Sequence, residues 1–470
     1  MTDQLKIYAQ TALLPEGWVN NICVTVDSSG RISNVEFGVE PQTEQHVSVE
    51  NQNLQNRILL PAMSNLHSHT FQRAMAGLTE KRIQKQDSFW SWRKLMYRFM
   101  EDLIPEQIEA IAAFVFMEML ECGYASVGEF HYLHHQQGGK HYENIAETSL
   151  RIIDAAQKTG IGLTHLPVFY GQGGLDGKSL ADSQLRFGCN PEQFFRILEQ
   201  AQDAFRYAPE DYLLGIAPHS LRAVSPADLK EILGSRSENS ALNSAPVHIH
   251  IAEQVKEVIE IQEKYNLSPV EWLQENVALD DCWCLVHATH MTPDEIHNLA
   301  KTGAVAGLCP ITEANLGDGI FDGTTWLESC GKYGIGSDSN VRISLTEELR
   351  MLEYSQRLSR QERNVMTQSS GSVGRALYEN SLSGGVQALG RKSGSIAIGM
   401  WADLLALDAD AMAFCSCSED EILDRWIFSA DDSIVSEVWS AGRQKVVNGR
   451  HILHDQIEKQ YRLVIQKLQQ

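Results

Sequence analysis

The chain has 470 residues, room at roughly 100–200 residues per domain for two or three domains, or for one barrel with an appendage. Hydrophobic residues make up 43% and charged residues 21%, so a sizeable core is easily built. Lys+Arg 39 against Asp+Glu 61 leaves a net charge of −22, which argues against nucleic acid or an anionic membrane as a partner and makes any basic residues gathered in a pocket informative.

The start, MTDQLKIYAQ, has no charged region followed by an apolar one, so no secretory signal is read, and no apolar run approaches the ~18 residues of a membrane span. The nine cysteines include no CxxC pair, and the CxC pairs Cys282/Cys284 and Cys415/Cys417 lack a second pair at zinc-ribbon spacing. That suits reduced thiols, most of them small buried hydrophobes, in a cytoplasm. Residues 1–60 carry short extended pieces, with a hairpin expected at Ser28-Ser29-Gly30. From Arg57 the texture changes: strand-like apolar runs alternate with amphipathic helical runs. Strand candidates begin at Arg57, Ala125, Gly160, Asp211, Pro246, Cys282, Gly303 and Tyr333. Several helical runs between them open with Pro or Ser and close with Gly, as helix ends prefer. Eight strand–helix alternations imply an α/β fold, a (β/α)8 or TIM barrel. Residues 233–245 are Ser/Asn-rich and read as a helix end and surface loop; residues 370–390 read as a helix pair with Gly breaks. Strands return after Lys392, and the last residues form an amphipathic helix. The expected organisation is a small β-sandwich domain built from both termini (1–60 and 390–450), a barrel over 61–389 and a C-terminal helix over 451–470.

In the first barrel strand, His67 and His69 stand two apart, so both imidazoles project to one side of an extended chain. That is a ligand pair for a divalent metal such as zinc; two satisfied histidines at a strand end would look the same. A barrel carries its chemistry at the C-terminal ends of its strands. Those ends hold His67 and His69 on strand 1, and Glu129 to Tyr132 on strand 2. They hold His219 and Arg222 on strand 4, and His248, His250 and Glu253 on strand 5. His287 ends strand 6 and Asp338 strand 8. Each histidine alone is more often a core or surface residue; the coincidence at one rim points to a shared site.

HxH on strand 1, HxxE on strand 5, His on strand 6 and Asp on strand 8 resemble the mononuclear deaminases of the amidohydrolase superfamily. MWADLLALD, in a β domain built from both termini, is also like that superfamily. The strings NLHSHTFQRAMAGLTE, APHSLRAV, HIHIAEQ and LCPITEANLGDGIF are similar to the formimidoylglutamate deiminases within it. The resemblance implies one zinc ion (Zn2+) per chain, held by His67, His69, His250 and Asp338. No lysine ends strand 4, where binuclear members carry one. It implies water attack on N-formimino-L-glutamate, giving N-formyl-L-glutamate and ammonia in histidine degradation. Asp338 would accept the water's proton, Glu253 would shuttle it to nitrogen, and His287 would steady the tetrahedral intermediate. Two substrate carboxylates call for Arg222 and Arg93. Tyr132 and His219 would add hydrogen bonds, and Gln72 would meet the formimino nitrogen. Arg73 is a weaker candidate. Trp90 and Trp92 are expected to pack a lid-like segment, and His248 to be structural. His131, His134, His135 and His290 read as ordinary polar loop residues. A homodimer is the expected assembly. A deaminase of aminopurine or triazine rings, or a metal-free scaffold of the same fold, would share most of this pattern.

Overall fold

The computed structural model describes residues 4–39, 49–81, 88–175, 177–238, 242–367 and 371–468. The N-terminal flank forms β1 (Gln4–Leu14), β2 (Gly17–Val26), β3 (Ile32–Phe37) and β4 (Val49–Pro61). The β2–β3 turn falls where Ser28-Ser29-Gly30 predicts it, and its device is Asp27. That carboxylate accepts the Ser29 and Arg31 backbone N–H groups at 2.9 and 3.1 Å.

Nine parallel pieces follow: β5 (Met63–Ser68), β6 (Tyr124–His131), β7 (Gly162–Phe169), β8 (Leu213–Leu214), β9 (Ala217–Pro218), β10 (Val247–Ile251), β11 (Trp283–His287), β12 (Val305–Leu308) and β13 (Lys332–Ile335). They pair in chain order, with β8 and β9 both on β7. Parallel bridges Ile216–Val247 and Ser220–His250 join the two halves, and Ser68–Asp338 closes the ring. This is the expected (β/α)8 barrel. The fourth strand is the weak one, two short pieces rather than the continuous run predicted from Asp211. Pro218 offers no N–H to a ladder. At Gly215, between the pieces, a Cβ would lie 2.5 Å from Leu166 and 2.8 Å from the Pro246 carbonyl.

Leu66 from β5 packs with Cys284, Val286 and Val305 from across the ring, and with Ala388 and Leu389, so these side chains fill the lower barrel interior. Ala388 ends the helix Val373–Ala388, where a glycine-broken helix pair was expected. The helix is continuous, and its glycines serve packing. A Cβ on Gly384 would lie 1.9 Å from the Tyr333 carbonyl oxygen, so Gly is needed for helix and strand to touch.

The chain then returns as β14 (Leu404–Asp408), β15 (Val435–Ser440), β16 (Arg443–Val447) and β17 (Arg450–His451). These join β1–β4 in one eight-stranded sheet through β14 antiparallel to β4. Residues of β1, β2, β4, β14 and β15 share a separate apolar core. On β1 the buried set shifts from Ile7 and Ala9 to Ala12 and Leu14. The β1–β4 register slips there, and Asn56 takes φ +55°. A bulge of this kind lets a long strand keep one face inward while it bends. The final helix His454–Leu468 lies on the helix Pro105–Glu121, with Tyr461 stacked on Phe114 at 3.9 Å.

Candidate active site

The C-terminal rim of the barrel gathers the predicted ligands. His67 Nε2 lies 3.1 Å from His250 Nε2 and 3.6 Å from Asp338 Oδ1; His69 Nε2 lies 3.2 Å from the same oxygen. One ligand atom from each of the four residues falls within 4.8 Å of the others. His69 Nδ1 is 2.9 Å from the Phe130 carbonyl oxygen, and His250 Nδ1 is 3.1 Å from that of His219. A carbonyl only accepts, so both Nδ1 atoms carry the hydrogen and both Nε2 atoms present lone pairs to the centre. Burial holds His67 at about 3 and pushes His69 and His250 down, so the rings are neutral. Burial would raise Asp338, but the close approach of the His67 ring and the neighbouring imidazoles His69 and His287 hold it below the carboxylate range. Neutral nitrogens and an anionic oxygen converging in the dry interior fit a divalent cation such as zinc.

The rim is strained where these residues leave their strands. Ala252, His287, Ala288, Asp338 and Asn340 all have positive φ, from +45° to +68°. Asn340 holds the β5 and β13 ends together, its amide donating to Ser68 Oγ and to the carbonyls of His69 and Asp338, each at 3.1 Å. Gly336 permits the same approach: a Cβ there would sit 2.7 Å from His67 N and 2.9 Å from His67 Cβ.

His287 stands between two acids, with Nδ1 3.1 Å from Glu313 Oε1 and Nε2 3.8 Å from Asp338 Oδ2. Burial would lower it, but the hydrogen bond to Glu313 and the nearby Glu253 and Asp338 charges raise it to about 10. Arg222 Nη2 is 3.1 Å from Glu253 Oε2. Arg93, on the helix Phe89–Met100, donates to the hydroxyls of Tyr97 and, at 3.0 Å, Tyr170. Gln72 Nε2 donates to Tyr132 OH at 3.1 Å, while its Oε1 is buried without a hydrogen-bond partner among the described residues. All five residues expected to meet substrate line one small cavity of about 50 Å3 together with His69, His250, Glu253, His287 and Asp338. Arg93, Tyr170, His219 and Arg222 also line an outer cavity of about 450 Å3.

The amidohydrolase family profile matches residues 58–445. The chain belongs to the amidohydrolase family. A second profile, the N-terminal domain of formimidoylglutamate deiminase HutF, matches residues 4–46. A formimidoylglutamate deiminase of Pseudomonas aeruginosa is 46% identical over 446 residues, 95% of each chain. A 5-methylthioadenosine/S-adenosylhomocysteine deaminase of Halobacterium salinarum is 26% identical over 87% of this chain and 85% of its own. Among solved structures, an amidohydrolase from Brucella melitensis superposes with TM-score 0.91 at 44% identity, covering 99% of this chain and 100% of its own. An adenosine deaminase from Xanthomonas campestris with bound zinc superposes at TM-score 0.82 and 20% identity over 99% of both chains, a likeness of fold.

Arg73 grips Glu118 with two bonds of 2.7 Å and donates to the Asn340 and Val341 carbonyls. Trp92 lines the inner cavity and Trp90 the outer one. His248 bonds the Ala388 carbonyl at 2.7 Å. His131 is the last residue of β6 rather than a loop residue; His134 and His135 are in a loop but buried, each bonded to a carbonyl. Residues the sequence reading missed are Glu313, Glu257, Asn340, Tyr97 and Tyr170. Glu313 had a signal: it lies in the first turn of the helix Pro310–Leu316, four residues past Cys309 at a barrel rim, and its carboxylate accepts Cys309 N–H at 2.9 Å. Among the described residues, no helix is long and apolar enough to cross a membrane.

Proposed function

We propose that the protein hydrolyses N-formimino-L-glutamate to N-formyl-L-glutamate and ammonia, in histidine degradation, with one zinc ion per chain. The observation that carries this reading is a single buried chamber in which the His/Asp cluster faces two guanidinium groups. A substrate with one electrophilic imine carbon and two carboxylates matches both halves of that chamber. The similarity to the Pseudomonas aeruginosa deiminase along nearly the whole chain supports the same substrate.

His67, His69, His250 and Asp338 would hold the zinc, which when bound acidifies water for attack near neutral pH. The second Asp338 oxygen accepts the proton released as the C–O bond forms. Glu253 passes that proton to the imine nitrogen; a second follows from the new hydroxyl as the C=O forms and the C–N bond breaks, so the nitrogen leaves as ammonia. His287, oriented by Glu313, hydrogen-bonds through Nε2 to the attacking water oxygen and steadies it as the tetrahedral intermediate forms. Arg93 and Arg222 take the carboxylates, with Tyr132 and His219 adding hydrogen bonds. The free Gln72 Oε1 accepts from the formimino N–H. The reading includes a cytoplasmic homodimer, checked by sedimentation, and a division into terminal β domain (1–60 and 390–450), barrel (61–389) and C-terminal helix (451–470), checked by limited proteolysis.

The test is ammonia release from N-formimino-L-glutamate, N-formimino-L-aspartate and guanine, alongside metal analysis. Release from the first and about one zinc per chain are expected. No release from the first, or release from guanine instead, overturns the substrate; absence of metal after zinc-replete expression supports a scaffold.

A further inference from the structure

In the resting site, Arg222 holds the very carboxylate that the reaction needs. Arg222 is only 8% exposed. Its Nη2 meets Glu253 Oε2 at 3.1 Å, and its Nε lies 3.7 Å from Glu257 Oε2. Phe89 and Trp90 cover the guanidinium, each ring centroid 5.9 Å away. Two carboxylates thus share one cation in a water-poor setting. A substrate carboxylate arriving on Arg222 would be the third anion there, and like charges that close do not coexist in a low dielectric. One of the three must leave. Glu257 is fully buried and its Oε2 also accepts the Glu253 backbone N–H at 3.2 Å, so it is fixed. Glu253 lines the inner cavity beside the ligand cluster and has somewhere to go.

We propose that Arg222 is a substrate-operated latch: the incoming carboxylate replaces Glu253 on the guanidinium and frees the Glu253 side chain to serve the reacting nitrogen. This rests on the function proposed above. It makes the carboxylate part of catalysis rather than of binding alone. A formimino compound without a carboxylate leaves Glu253 latched, so it loses kcat and not only KM.

The zinc-loaded wild type and Arg222→Met are assayed on N-formimino-L-glutamate and on formamidine, with and without glutarate. Glutarate supplies both carboxylates without the formimino group. In the wild type, glutarate is expected to raise kcat on formamidine by about tenfold or more. Arg222→Met, normalised to its own glutarate-free rate on formamidine, is expected to show no stimulation by glutarate. Absence of stimulation in a wild type that turns over N-formimino-L-glutamate overturns the latch and spares the function. So does glutarate stimulation of Arg222→Met as large as that of the wild type at matched zinc content. A wild type inert toward N-formimino-L-glutamate ends both. If the variant does not fold, the glutarate arm on the wild type decides.

Discussion

Two clusters of buried charge sit at opposite ends of the barrel, and they are built on opposite terms. At the N-terminal end Arg391 donates twice to Asp403 (2.6 and 2.9 Å) and to Asp211 Oδ2 and its carbonyl (2.9 and 2.8 Å). Arg443 adds two bonds to Asp211 at 2.7 and 2.8 Å. The Arg391 and both Asp side chains are 1% exposed, so each charge is out of water and matched. At the C-terminal end, the imidazole nitrogens of His67, His69 and His250 and the Asp338 carboxylate converge, and among the described residues no Lys or Arg pairs with that carboxylate. A closed network joins barrel to terminal sheet; an open one stores an affinity for something else. Burial is the same in both, and what separates structure from chemistry is whether the donor–acceptor count closes.

Breaking the two clusters should therefore fail in different ways. Asp338→Asn is expected to lower ammonia release by about a thousandfold or more, on the scale of losing one member of a catalytic unit. Zinc content should fall with it, while urea unfolding shifts little. Arg391→Ala should do the reverse. Removing the central cation strands the buried Asp403 carboxylate and leaves Asp211 to Arg443 alone, costing about 3–5 kcal/mol of unfolding free energy. Activity per folded molecule should stay at the wild-type level. Equal loss of activity in both variants would erase the distinction. Gly336→Ala falls between them: a methyl pressed against His67 should cost about 1–3 kcal/mol and lower zinc affinity by about 10–100-fold.

The open cluster was legible in the sequence and the closed one was not, for a physical reason. Strand periodicity places His67 beside His69, and a barrel places strand ends together, so spacing alone brings His250, His287 and Asp338 into one site. Arg391 and Asp211 lie 180 positions apart in loops at the other end, and no period links them. The same limit hid Glu257 and Asn340, which act through residues already on the rim. The glycines at 384 and 385 misled because a glycine pair usually breaks a helix. Here the need to touch the β13 backbone overrides that preference.

A third set of buried polar groups sharpens the comparison, since it holds no charge at all. Burial keeps the His134 and His165 rings down to about 3 and His248 to about 4, against 6.5 for the exposed side chain. Their folded values are depressed, so below pH 6.5 the unfolded chain binds protons that the folded protein refuses. Their contribution to stability is whole above pH 6.5 and is lost as pH falls toward 4. The slope is about 1.4 kcal/mol per pH unit for each fully neutral histidine. Urea unfolding between about pH 7 and pH 5 should show it. His165 is the cleanest probe, because neither ring nitrogen has a hydrogen-bond partner among the described residues. His165→Leu should flatten the slope by one histidine's share and leave zinc content unchanged. A slope that does not move would mean the folded His165 takes up its proton as readily as the unfolded chain, with water reaching a ring that lies fully buried beneath the rim.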